Sequence, residues 1–155
     1  MSGVGASPAK RSQGQMEYRD SEDLIFVRLH HEEDLLESLK KVCEECKLVT
    51  GVVVSGVGML KQAELAYFVS SGRYSPALFP EPLELVSLTG NIISKDGEYH
   101  LHLHAVLSDE SKSTVAGHLS KGKVNVTNEL VILKTPIKAT RKLDPHTGLM
   151  ALTFE

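Results

Sequence analysis

Tryptophan is absent from this 155-residue chain, aromatic residues make up only 5%, and there are just two cysteines. Two thiols cannot staple a small disulfide scaffold, so the fold must rest on a hydrophobic core. No run of apolar residues approaches the roughly 20 that a membrane helix needs, which argues for a soluble protein with no membrane partner. A basic excess is lacking as well: 17 Lys and Arg stand against 20 Asp and Glu, for a net charge of -3 and a pI near 6.2. Free-standing nucleic-acid binders are usually strongly basic, so composition weighs against phosphate-backbone binding. The N-terminal "MSGVGASPAKRSQGQ" has no apolar segment of the secretory kind. With Cys43 and Cys46 read as reduced thiols, a cytoplasmic location is expected. Gly56-x-Gly58 lacks the third glycine and the following helix of a dinucleotide site, and neither a phosphate loop nor a nucleophile elbow is present.

What is there reads as one core of ordinary composition, 41% hydrophobic and 24% charged. Residues 1–16 are expected to form a disordered tail and residues 17–155 one domain. "DLIFVRLH" (23–30) has strand composition. In "EEDLLESLKKVCEECK" (32–47), Leu35, Leu36, Leu39, Val42, Cys43 and Cys46 recur at three- and four-residue spacing, the signature of an amphipathic helix. "LVTGVVVSGVGML" (48–60) predicts a buried strand running into a tight turn at Gly56–Gly58, and "AELAYFVS" a further strand. "SSGRYSPALFPEP" (70–82), with three prolines, predicts an ordered loop. Strands are then expected near 83–93, 98–108, 113–118, 123–133, 137–143 and 148–154, with turns at Asp96-Gly97, Lys121-Gly122 and 145–148. The sum is an α+β fold: a curved, mainly antiparallel β-sheet with one main amphipathic helix packed on it.

The stretch "GEYHLHLHAVLSD" places His100, His102 and His104 at alternate positions. Alternate side chains of a strand share a face, so Leu101, Leu103, Ala105 and Leu107 point to the core and the histidines point away. Imidazoles two residues apart can converge on one ion, with His102 and His104 the stronger pair and His100, nearest the turn, the weaker. Zinc takes histidine nitrogens at about 2.0–2.1 Å and usually three or four protein ligands, so a third must come from another strand. His118, in "VAGHLSKG", is the best candidate. Glu129 is a candidate further ligand, or a carboxylate that orients an imidazole or acts as a base. Zinc is the default cofactor, with nickel, cobalt and iron also suited to imidazole. The competing reading is a polar sheet face carrying ordinary histidines.

The remaining candidates read as structural. Cys43 and Cys46 lie on the helix's core stripe without a second cysteine pair, which favours packing over redox or metal use. His30 and His31 sit at a strand-to-helix junction, and His146 in a turn.

Four blocks in order, "GVVVSGVGML", "LELVSLTGNIISKDGEYHLHLHAVLSD", "AGHLSKGKVNVTNELVI" and "RKLDPHTGLMAL", give the chain its resemblance. Over most of residues 17–153 it resembles prokaryotic members of the PPC family, the plant and prokaryote conserved domain related to that of plant AT-hook proteins. Ala116-Gly117-His118-Leu119 stands where the family often has Gly-Gly-His-Leu. The resemblance implies an α+β fold, a homotrimer, and a metal held by His102, His104 and His118. Arg141 and Asp144 match the late "R-x-x-D-x-x-T-G" block, and an Arg-carboxylate pair bracing the turn is the expected role. The tail holds Lys10-Arg11 but no Arg-Gly-Arg-Pro core of the kind that enters an A·T minor groove, so the plant mode of DNA binding is not expected. Lys121, Lys123, Lys134, Lys138, Arg141 and Lys142 remain as a candidate basic patch. Two functions follow: a metal-binding homotrimeric module, regulatory and binding DNA or a protein partner, or a zinc-dependent hydrolase or lyase of a small molecule with Glu129 as base.

Overall fold

A computed structural model of the chain describes residues 16–154. Apart from Met16, the expected N-terminal tail lies outside the described residues. One α-helix and nine strands follow in the order β1 (Glu17–Asp20), β2 (Leu24–His30), α1 (Leu35–Glu45), β3 (Thr50–Ser70), β4 (Arg73–Phe79), β5 (Leu83–Lys95), β6 (Glu98–Ser108), β7 (Thr114–Thr135), β8 (Ala139–Leu143) and β9 (Met150–Phe154). The first seven strands form one sheet in the order β1-β2-β7-β6-β5-β3-β4, and a further β7–β3 pairing closes β3, β5, β6 and β7 into a ring. Every pairing is antiparallel, and β8 and β9 make a separate hairpin. The expected architecture, a mainly antiparallel sheet with one helix on it, is what the chain adopts, and the sheet dominates.

The helix starts where Asp34 takes a non-helical conformation and its side chain accepts the Glu37 N–H at 3.0 Å. Its buried stripe, Leu35, Leu39, Val42 and Cys43, packs into one core with Ile25, Leu29, Leu103, Ala105, Leu107, Leu130 and Ile132. Each fully buried leucine or isoleucine contributes about 1.5–3 kcal/mol through apolar burial. Cys43 and Cys46 are both free thiols, and desolvation by burial pushes them up to about 12 and about 11. Neither is expected to alkylate with iodoacetamide at neutral pH in the folded protein, with labelling appearing only in urea; rapid labelling of the folded chain would contradict the packing role.

Three local expectations are overturned. No turn breaks the chain at Gly56–Gly58, because β3 runs continuously for 21 residues. Gly58 instead marks a kink: its φ of +143° and the approach of Thr127 and Asn128 leave no room for a Cβ. There β3 shifts register against β7, and the wholly buried Asn128 accepts the Met59 N–H at 2.9 Å. Lys121-Gly122 is no turn either. β7 stays extended through it, and the irregularity becomes a register shift opposite Glu64, whose carboxylate accepts from Ser120 Oγ at 2.7 Å and Lys121 Nζ at 2.9 Å. The segment 70–82 is not a loop, since Arg73–Phe79 pairs with Ala63–Ser70 as edge strand β4. Pro76 is tolerated because an edge strand needs to bond on one side only.

Candidate metal centre

The two-residue turn at Asp96-Gly97, with positive φ at both residues, sets the β5–β6 register. It places Asn91 opposite His102 and Thr89 opposite His104, while β7 brings His118 opposite His104. Leu103, Ala105 and Leu107 are buried, and His102 and His104 lie on the other, exposed face, with His118 half-buried beside them. The alternation read from the sequence is therefore what the sheet presents. His102, His104 and His118 each offer a ring nitrogen, and all three nitrogens lie within 4.8 Å of one another. The Nε2 atoms of His102 and His104 are 3.2 Å apart. Two nitrogens about 2.0–2.1 Å from a tetrahedral zinc would stand roughly 3.3 Å apart, so the donor spacing fits such an ion. An N–H···N hydrogen bond between the two rings has the same span.

The surroundings hold two of the three rings in the neutral form. Desolvation holds His102 below the usual imidazole range, helped by the nearby Arg141 charge and by the other two histidines. Desolvation and His104 do the same for His118. Neutral imidazole is the form that binds a metal, so both rings stay ready to ligate at a pH where a free histidine begins to charge.

Other expected residues lie elsewhere. His100 pairs opposite Ile93 and is outside the three-histidine group. Glu129 is eleven positions beyond His118 on β7, exposed and paired opposite Arg28 and Val57. That is roughly 35 Å of strand contour at about 3.3 Å per residue, and within the chain Glu129 is outside the three-histidine group. It borders instead a pocket of about 460 Å³ lined by Glu17, Phe26, Arg28, Ser55 and Val57. The Arg141–Asp144 pair is also not formed. Asp144 caps its own turn, accepting the His146 N–H and the Thr147 hydroxyl at 2.9 Å, whereas Arg141 donates to Asn91 Oδ1 and to the Met150 carbonyl. His30 bonds Glu17 at 3.1 Å, and His31 pairs with Glu32 at 3.0 Å.

The sequence did not point to Asn91 or Tyr74 as neighbours of the site. Tyr74, from β4, has its ring centroid 5.8 Å from that of His118. Asn91 could have been found by counting back from the Asp96-Gly97 turn.

The fold and site define a class: a mainly antiparallel sheet that buries leucines against one helix and gathers three histidines on its outer face. Residues 16–136 match the model of the Plants and Prokaryotes Conserved (PCC) domain, and the chain belongs to that family. It is similar to a PPC protein from Pyrococcus horikoshii, with 28% identity, a TM-score of 0.76, and coverage of 94% of this chain and 97% of that one. A candidate DNA-binding protein from Bacteroides thetaiotaomicron matches at 26% identity and TM-score 0.84, covering 90% and 98%. A metal-containing protein from Archaeoglobus fulgidus matches at 25% identity and TM-score 0.77, covering 92% and 99%. Among curated relatives, a bifunctional protein GlmU from a Synechococcus strain is 34% identical over 131 residues, which are 83% of this chain and 20% of that protein. The chain thus spans about a fifth of the length of the curated relatives it matches. No helix among the described residues is long and apolar enough to cross a membrane.

Proposed function

We propose that the chain is a metal-binding, homotrimeric PPC module whose His102, His104 and His118 hold one divalent ion, by default zinc. The observation that carries this is the convergence of three imidazole nitrogens within 4.8 Å on an outer sheet face. The chemistry of the donors agrees, since neutral imidazoles suit zinc and its neighbours in the first transition row. The similar Archaeoglobus protein being metal-containing lends further support. Three protein donors leave a coordination position for a ligand, and a bound zinc would supply Lewis acidity there.

Self-association has its own support. Leu24, Leu133, Val52, Asn91 and His102 line up across β2, β7, β3, β5 and β6. Around that row Phe26, Val52, Val54, Val57 and Leu133 are exposed, Phe26 by 58%. A contiguous apolar face of this kind is unusual on a monomer, and further copies of the chain would cover it. Light scattering should return three times the 16.9 kDa chain mass; a monomer would contradict the trimer.

DNA binding has narrower support, the Bacteroides neighbour's description. Of the basic residues available, Lys121, Lys123 and Lys134 are paired with Glu64, Glu32 and Asp20, and Arg141 is buried. The module reading therefore favours small ligands or protein partners over a phosphate backbone. Zinc titration of chelator-treated protein by calorimetry tests the reading: one site per chain is expected in the parent and none in His104→Ala. Equal uptake by both would remove the site. In parallel, DNA affinity falling steeply with salt would restore a nucleic-acid role.

A further inference from the structure

Arg141 is only 7% exposed, yet no carboxylate among the described residues pairs with it. Its guanidinium donates from Nη2 to Asn91 Oδ1 and from Nη1 to the Met150 carbonyl at 3.3 Å, both neutral acceptors. Lys95 Nζ donates to the Arg141 main-chain carbonyl at 2.9 Å, so this contact also brings no negative charge to the residue. Burying a guanidinium is costly unless a counter-charge meets it, and two neutral acceptors leave several of its five N–H groups for another partner.

The place of that charge matters. Asn91 lies directly opposite His102, so the two side chains leave the same face of the sheet. Through Asn91 the guanidinium is held beside His102, at the edge of the three-histidine group. The three candidate ligands are themselves neutral, and no carboxylate belongs to the group among the described residues. A divalent ion placed there would keep its whole charge, with a buried guanidinium next to it and Tyr74 as an aromatic wall beyond His118. The family-model match ends at residue 136, before Arg141.

We propose that this site takes a small oxyanion, a carboxylate or phosphate group, shared between the metal's open position and the Arg141 guanidinium. The inference rests on the metal reading above. Guanidinium matches carboxylate and phosphate as a fork that donates two parallel hydrogen bonds, which lysine cannot reproduce. Asn91 orients the fork by occupying one N–H. The ligand class is thus a small acid or a phosphorylated metabolite, and the metal and Arg141 bind it jointly.

The test uses full-length protein loaded with cobalt(II), whose visible spectrum reports ligands entering the metal's coordination sphere. Inorganic phosphate and acetate are titrated separately, with acetamide as the uncharged counterpart of acetate. In the parent, at least one anion is expected to shift the cobalt band saturably while acetamide does not. In Arg141→Lys and Arg141→Met the apparent Kd for that anion should rise at least tenfold, with one cobalt still bound per chain. Arg141→Lys keeps the charge and removes the fork, so it remains informative if Arg141→Met fails to fold. Whichever anion responds identifies the group: phosphate alone points to phosphorylated ligands, acetate alone to carboxylic acids. An unchanged Kd in Arg141→Lys, or no anion response in a cobalt-loaded parent, overturns the inference and leaves the metal site standing. Absence of the cobalt band in the parent would instead remove the metal reading, and the inference with it.

Discussion

Zinc added to chelator-treated protein should raise its melting temperature by about 10 °C, and the same addition to His118→Ala should raise it by almost nothing. A ligand that binds only the folded state stabilises it by about 4 kcal/mol at a thousand times its Kd. In a chain of this size each kcal/mol moves the midpoint by roughly 2–4 °C. The effect is large here because His118 and His104 come from different strands, opposite one another on β7 and β6. An ion between them ties together segments that separate on unfolding. His118→Ala leaves only His102 and His104, two residues apart on one strand, and such a pair survives local opening with little gain. An equal shift in parent and variant would place the ion elsewhere. No shift in the parent would mean that the three rings form a polar face without metal.

Gly90→Ala is expected to cost about 3 kcal/mol or more, read as a fall in the urea midpoint with little change in slope. Gly90 sits on β5 opposite Leu103, with φ at +150°, a conformation that residues with a Cβ rarely adopt. A Cβ there would meet the His102 carbonyl oxygen at 1.9 Å, and that atom is backbone and cannot swing aside. The strain and the forced parting of β5 from β6 act together. Asn91 and Thr89 flank Gly90 and stand opposite His102 and His104, so the variant should also bind metal more weakly if it folds. Retention of full stability would show that β5 can slide without loss, against the close approach described here.

Much of this arrangement was legible in the sequence. The alternation of His and Leu from 100 to 107 sorts itself onto two faces because a strand has a period of two. The Asp96-Gly97 turn then fixes which β5 residues face the histidines. The helix was readable from its leucine stripe. Where reading failed, longer-range pairing had overridden local punctuation. Gly58 and Gly122 look like turn residues, yet each serves close packing within a strand of more than 20 residues, between partners far away in the chain. Proline-rich 70–82 looks like a loop because nothing local reveals that β3 has a free edge for it. Glu129 was a candidate by residue type, with β7 read as two strands and a turn at Lys121-Gly122. As one extended strand, β7 carries it away. Arg141 reaches Asn91 only because the β8–β9 hairpin lies against β5, a docking that periodicity and spacing do not encode.

Elemental mass spectrometry of untagged, purified protein reads out whether His102, His104 and His118 hold one metal ion. Close to one zinc or neighbouring transition-metal ion per chain is expected in the parent and almost none in His102→Ala. Metal-free parent protein that takes up none on reconstitution, or equal content in both proteins, would contradict it.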